Sequence, residues 1–211
     1  MDRPIIFNTE MVKAALERRK TQTRRVMDFP KSYMWNNERF KKNYTFDKMF
    51  FDDWKNRNVA IFTDGKYTEW FKCPYGKVGD RLWVKETFSE KIKNLGLSNL
   101  EWTRHIKDFG KCFYKSDDCQ LLFNTTWTPS IHMPRWASRI TLKITDIRVE
   151  RLQDIKYEGM KAEGCLPKNC CGGERETLRK EYWIPLWNSI YKKENTWQDN
   201  PWVWVIEFKV I

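Results

Sequence analysis

Apolar positions recur along this chain at two spacings, and the alternation between them outlines the fold. Ile5-Ile6-Phe7 is a short apolar run that predicts a strand. Asn8 or Thr9 follows, and the short side-chain oxygen of either can accept an orphan amide hydrogen at a helix start. Met11, Val12, Ala15 and Leu16 then recur at helical spacing and predict a buried stripe. The helix is expected to end near Arg18-Arg19-Lys20, where cations suit its negative end. An extended stretch from Thr21 to Val26 follows.

Period-two alternation marks the later strands. Gly79-Asp80 forms a turn before Arg81-Leu82-Trp83-Val84-Lys85-Glu86-Thr87. Arg139 to Thr145 alternates as a half-buried strand, and Ile147 to Leu152 continues it after a bend at Asp146. Trp202 to Val210 is the strongest strand signal in the chain. Asp154 is expected to cap a helix holding Tyr157, Met160 and Ala162, closed by Gly164. A further helix runs from Glu174 to Ile190, interrupted near Pro185. Residues 33–72 are polar, aromatic and irregular and read as an insertion. Residues 88–128 read as a second insertion with one or two strands inside. The pattern predicts one α+β domain over residues 1–211, with a strongly bent sheet or barrel and helices on its flank.

Charge narrows the class of partner. Lys and Arg number 39 against 28 Asp and Glu, a surplus of +11 that favours an anionic partner, most commonly nucleic acid. Trp102, Trp127 and Trp136 lie near Arg104, Arg135 and Arg139, and aromatic faces interleaved with cations suit stacked bases and phosphates. No stretch approaches the roughly 20 apolar residues that cross a bilayer, and the start does not read as a signal peptide. The expectation is a cytoplasmic protein without membrane association, its six cysteines reduced.

The densest chemistry sits in Lys20-Thr21-Gln22-Thr23-Arg24-Arg25. A Thr hydroxyl needs a base to take its proton before it attacks, and a neutral Lys can do so. Neighbouring arginines lower a Lys pKa, and a nearby carboxylate raises it. Lys20 and Thr23 converge only if the chain turns, as it does where a helix hands over to a strand. Arg24 and Arg25 offer rigid donor forks for phosphate or carboxylate, although strand neighbours face opposite ways. His132 sits between Pro129 and Pro134 with Arg135 and Trp136 beside it, which suits a ligand-facing loop. Cys112, Cys119, Cys165, Cys170 and Cys171 lack the paired spacing of a zinc knuckle, so no metal and no cofactor is expected.

Five segments, read in order, resemble the ASCH-domain proteins encoded by bacteriophages and prophages: 19–25, 79–84, 130–139, the pair Leu152-Gln153-Asp154-Ile155 and Ala162-Glu163-Gly164, and Asn200-Pro201-Trp202-Val203-Trp204-Val205. The regions around 33–72 and 88–128 match least. The resemblance implies a PUA-like β-barrel, an RNA-binding role and a bacterial host cell as the setting. One branch of the family removes the acyl group of N4-acetylcytidine with a Lys, a Thr and a Glu, and another relative is similar to a ribonuclease. The branch's Lys-Thr-x-Thr segment matches Lys20-Thr21-Gln22-Thr23, and its Glu matches Glu163. These matches make Lys20, Thr23 and Glu163 the catalytic candidates. Thr21, Arg24, Arg25, His132, Arg135 and Trp136 are the candidates for holding RNA, other single-stranded nucleic acid or a modified nucleoside. The sequence leaves the oligomeric state open.

Overall fold

The computed structural model describes residues 2–28, 45–52, 57–63, 66, 68–89, 112–117, 126–165 and 175–211. It is a mixed α+β arrangement dominated by sheet. Strand β1 (Asp2–Ile6) leads into helix α1 (Thr9–Leu16) and then β2 (Gln22–Val26). Strands β3 (Thr45–Asp52), β4 (Arg57–Thr63) and β5 (Thr68–Lys72) follow. Next come β6 (Arg81–Lys85) and the short pair β7 (Phe88–Ser89) and β8 (Phe113–Tyr114). Strand β9 (Thr141–Arg151) precedes helix α2 (Tyr157–Ala162). Helix α3 (Arg175–Leu178) passes through a π-helical turn at Arg179–Trp183 into α4 (Ile184–Ile190), and β10 (Trp202–Val210) closes the order.

The main sheet has the order β1-β6-β9-β10-β2. Only β1 and β6 run parallel; β6-β9, β9-β10 and β10-β2 are antiparallel. No ring of strands closes among the described residues, since β1 and β2 remain edges. The two edges nevertheless approach each other, because Arg25 Nη2 donates to the Ile6 carbonyl at 2.6 Å. The bend expected at Asp146 is a bulge. Glu207 pairs with Asp146 and Phe208 with Ile144, so Thr145 is the extra residue.

One face of this sheet carries the main core. Ile5, Leu82, Val84, Leu142, Ile144, Trp204, Ile206 and Phe208 meet Phe7, Met11, Val12 and Ala15 there. Helix α1 is capped as expected: Asn8 Oδ1 accepts from Met11 N at 2.8 Å. Its buried stripe is Met11, Val12, Ala14 and Ala15. Leu16 is 46% exposed and is replaced in the stripe by Ala14, because at about 100° per residue position 14 lies nearer than position 16 to the side that Met11 and Ala15 share. The other face of β10 carries a second cluster, in which Val203 and Val205 pack against Leu152, Ile155, Met160, Leu178, Trp183 and Trp187.

Two local expectations are corrected. Within the stretch 33–72, the described residues 45–52, 57–63 and 68–72 are not irregular. They form the antiparallel sheet β3-β4-β5, which buries Ala60 and Phe62 on the main core, with Phe62 edge-on to Trp202 at 5.2 Å. Its apolar residues were hidden in a polar, aromatic-rich stretch without clean alternation. Asp154 does not cap α2 either. It ends a 3₁₀ turn at Leu152–Asp154, and Lys156 takes the cap position without a side-chain hydrogen bond. Gly164 closes that helix at φ +73°, the left-handed conformation that suits glycine. Most of residues 88–128 and the Cys170-Cys171 loop lie outside the described residues.

Candidate functional site

The handover from α1 to β2 builds the site. Arg18 adopts φ +58°, and the amides of Arg19 and Lys20 both donate to the Ala14 carbonyl, at 2.8 and 3.0 Å. This hook folds Lys20 back under its own helix. The backbone of Thr21 then bridges two elements: its amide donates to Ala162 O and its carbonyl accepts from Phe208 N, both at 2.8 Å. The end of α2 is thereby set against Lys20. A Cβ on Gly164 would lie 2.8 Å from Ala14 Cβ and 3.1 Å from Lys20 Cβ, so only glycine permits this approach.

Lys20 and Glu163, 143 residues apart, meet here. Lys20 Nζ lies 2.7 Å from Glu163 Oε2 and donates also to the Glu163 carbonyl at 3.0 Å. Both side chains are closed off from solvent. Burial holds the Lys20 amine below its usual pKa, and the Glu163 carboxylate offsets only part of that shift. The Cys165 thiol nearby is pushed up to about 12, chiefly by burial and then by Glu163, so it is a thiol and not a nucleophilic thiolate.

Glu163 is also held from its other oxygen. Arg24 Nη1 donates to Oε1 at 3.3 Å, and Arg24 Nη2 donates to Glu150 Oε2 at 2.8 Å. Arg148 Nε donates to the second oxygen of Glu150 at 2.6 Å and Arg148 Nη1 to Glu207 at 2.5 Å. The result is a chain of alternating charge, Lys20–Glu163–Arg24–Glu150–Arg148–Glu207, running from the interior to the surface. Arg24 is 3% exposed and committed to two carboxylates, so it anchors Glu163 instead of offering a free fork. Gly159 makes room for it, since a Cβ there would meet Arg24 Nη2 at 3.1 Å.

Strand alternation separates the remaining residues. Gln22 and Arg24 line a cavity of about 380 Å³ with Arg148, Glu150, Glu158 and Glu207. Together with Asp154 and Lys156 its lining holds three cations and four carboxylates, a balanced surface and not a basic one. Thr23 and Arg25 project to the opposite face, beside Ile206 and Trp204. The Lys20 amine and the Arg25 guanidinium both lie over the Phe7 ring on that side, at 5.5 and 5.9 Å. Thr23 is fully buried, and its Oγ1 has no hydrogen-bond partner among the described residues. Thr21 has an exposed side chain and acts through its backbone.

His132, Arg135 and Trp136 stand elsewhere, on two 3₁₀ turns over β1 and β6. The Arg135 guanidinium lies 5.8 Å from the Trp83 ring and 3.7 Å from Asp2, while Trp136 is 60% exposed. His132 is exposed. No described contact joins any of the three to Lys20 or Glu163. Sequence reasoning missed two features. The first is the partner set of Arg24, although Arg148 and Glu150 stand two apart on an alternating strand and so share a face. The second is Glu86, 2% exposed, which accepts from Arg139 Nε at 3.0 Å and Ser116 Oγ at 2.8 Å and pins the 130–139 segment. Among the described residues no group of three or more His, Cys, Asp or Glu side chains gathers as a metal set, and no helix is long and apolar enough to cross a membrane. The chain matches no family model, no curated protein and no solved structure.

Proposed function

We propose that this chain is a PUA-like protein of the ASCH type that binds a modified nucleoside and removes an acyl group from its base, with Lys20, Thr23 and Glu163 as the reacting set. One observation carries the reading. Two of the three residues singled out by resemblance, Lys20 and Glu163, touch at 2.7 Å across 143 positions of sequence in a site closed to solvent. A purely structural ion pair accounts for that contact too. It does not account for the buried Thr23 hydroxyl, which has no hydrogen-bond partner among the described residues; an unsatisfied buried hydroxyl costs about 1–3 kcal/mol.

The chemistry divides among the three. Burial lowers the pKa of Lys20, and its neutral amine can accept the Thr23 proton as the hydroxyl attacks the acyl carbon. This transfer needs the two side chains to come within hydrogen-bond reach, since Thr23 Oγ1 has no partner among the described residues. The bond to the base's exocyclic nitrogen then breaks, and the proton that Lys20 took from Thr23 passes through the Glu163 carboxylate to that nitrogen. Water releases the acyl group from Thr23 as a carboxylic acid. Arg24 positions Glu163 through its 3.3 Å contact. Because Thr23 is sealed in this state, entry of the substrate requires the packing over β2 to part. Incubation with N-acylated cytidines and chromatographic detection of the free nucleoside tests the reading.

A second reading, binding of RNA or other single-stranded nucleic acid without chemistry, is favoured by the exposed Trp136 beside Arg135 and by the surplus of +11. Wild-type protein inert on every acylated nucleoside, yet retaining labelled RNA, decides for it.

A further inference from the structure

The helices α2 to α4 cover only the Val203–Val205 end of the outer sheet face. Toward the other end the strand register assembles cations. Arg81 pairs with Lys143, and Lys143 pairs with Lys209, so three cationic side chains stand in one row across β6, β9 and β10. All three are exposed. Directly opposed like charges destabilise a sheet, so the row is a feature the fold alone does not favour. Arg81 has a carboxylate in Asp2, at 3.1 Å. The nearest acids along the strands, Asp146 and Glu207, are taken up by Arg148.

Two residues further along β6, on the same face, stands Trp83. Lys85 Nζ and the Arg135 guanidinium lie 5.6 and 5.8 Å from its ring centroid. Lys85 also donates to the Ile131 carbonyl, which fixes the 130–137 turns over this strand. Those turns present Trp136 and Ile131, 60% and 61% exposed, and Ile6 beside Lys85 is 46% exposed.

We infer that this face is a platform for single-stranded nucleic acid. Lys143, Lys209 and Arg81 track phosphates, and the exposed Trp136 offers a surface on which a base stacks. A row of cations next to aromatic faces is the combination that single strands recognise without reading sequence. The platform rests on the nucleic-acid reading given above and is separate from the Lys20–Glu163 centre. If both hold, the acylated base is presented within a polymer.

The test uses fluorescein-labelled 20-nucleotide oligo(U) and oligo(dT), anisotropy titrations at several salt concentrations, and the variants Lys143→Gln with Lys209→Gln together and Trp136→Ala. Removing two phosphate contacts is expected to weaken binding about tenfold or more and to lower the slope of log affinity against log salt by about 1.4. Trp136→Ala is expected to weaken it by about tenfold with an unchanged slope. Neutralising a like-charge row is expected to leave folding intact, and thermal melts of the variants check this. Wild-type affinity in the double variant overturns the platform. So does a lack of wild-type binding to either oligonucleotide. Equal capture by phosphatidylserine vesicles, sensitive to the same variants, overturns the nucleic-acid assignment in favour of an anionic membrane surface.

Discussion

The Glu163 carboxylate is gripped from two sides, by Lys20 at 2.7 Å through one oxygen and by Arg24 at 3.3 Å through the other. The two cations arrive by different routes, one from the hook after α1 and one from inside β2. This unequal sharing sets what each substitution does.

Glu163→Gln leaves two buried cations facing a neutral amide. Removing one member of a buried ion pair costs about 3–5 kcal/mol. Lys20→Met leaves Glu163 still matched by Arg24, so its cost is expected to be smaller. Urea unfolding of the two variants gives the order directly, and a larger loss for Lys20→Met contradicts the sharing described here.

Alkaline pH reports on the buried amine. Lys20 has a folded pKa below its unfolded value of 10.5, chiefly because burial penalises the charge. Between the two values the unfolded chain holds a proton that the folded one has lost, so stability contributed by this group rises with pH. Below the folded value both states are protonated, and the full cost of burying the charge remains. The difference in unfolding free energy between wild type and Lys20→Met is therefore expected to move in favour of wild type as pH rises toward 10.5. Movement the other way indicates that the ion pair, not burial, dominates.

Gly164→Ala attacks the contact between α2 and Lys20. The glycine has φ +73°, and a methyl group there would stand 2.8 Å from Ala14 Cβ. The left-handed conformation costs about 1–2 kcal/mol for an L side chain, and the clash adds to it. A loss of at least ~2 kcal/mol is expected in chemical denaturation, whereas Gly79→Ala meets no atom within 4 Å and carries the conformational cost alone.

Thr23→Val replaces an unpaired buried hydroxyl with a methyl of nearly the same shape. The variant is expected to gain about 1 kcal/mol of stability, since an unsatisfied polar atom is removed without opening a cavity. A loss of stability in thermal melts shows that the hydroxyl has a partner.

Much of this architecture was legible in the sequence, for a physical reason in each case. Asn8-Thr9 marked the start of α1, Gly164 the end of α2, and the alternation in 139–145 and 202–210 marked the two central strands. Lys20 and Glu163 were paired through a resemblance; no spacing connects positions 143 apart. What stayed hidden depends on register. Arg24 reads as a free phosphate fork until β2 is laid beside β10 and β9, which places Glu150 and Arg148 on its face. The row Arg81–Lys143–Lys209 exists only across three strands. Leu16 fits the apolar spacing of the helix, but it stands at the margin of the stripe and is 46% exposed.

The most direct measurement is release of free nucleoside from N-acylated cytidines by wild-type protein and by Thr23→Val, Lys20→Ala and Glu163→Gln. Turnover by the wild type is expected, with each variant losing it by at least about 10²-fold and the losses not adding in combination, because the proposed reaction uses the three side chains as one unit. Thr23→Val, the variant expected to be more stable than wild type, is the decisive member of the set. Thr23→Val protein that still releases nucleoside at the wild-type rate contradicts the assignment.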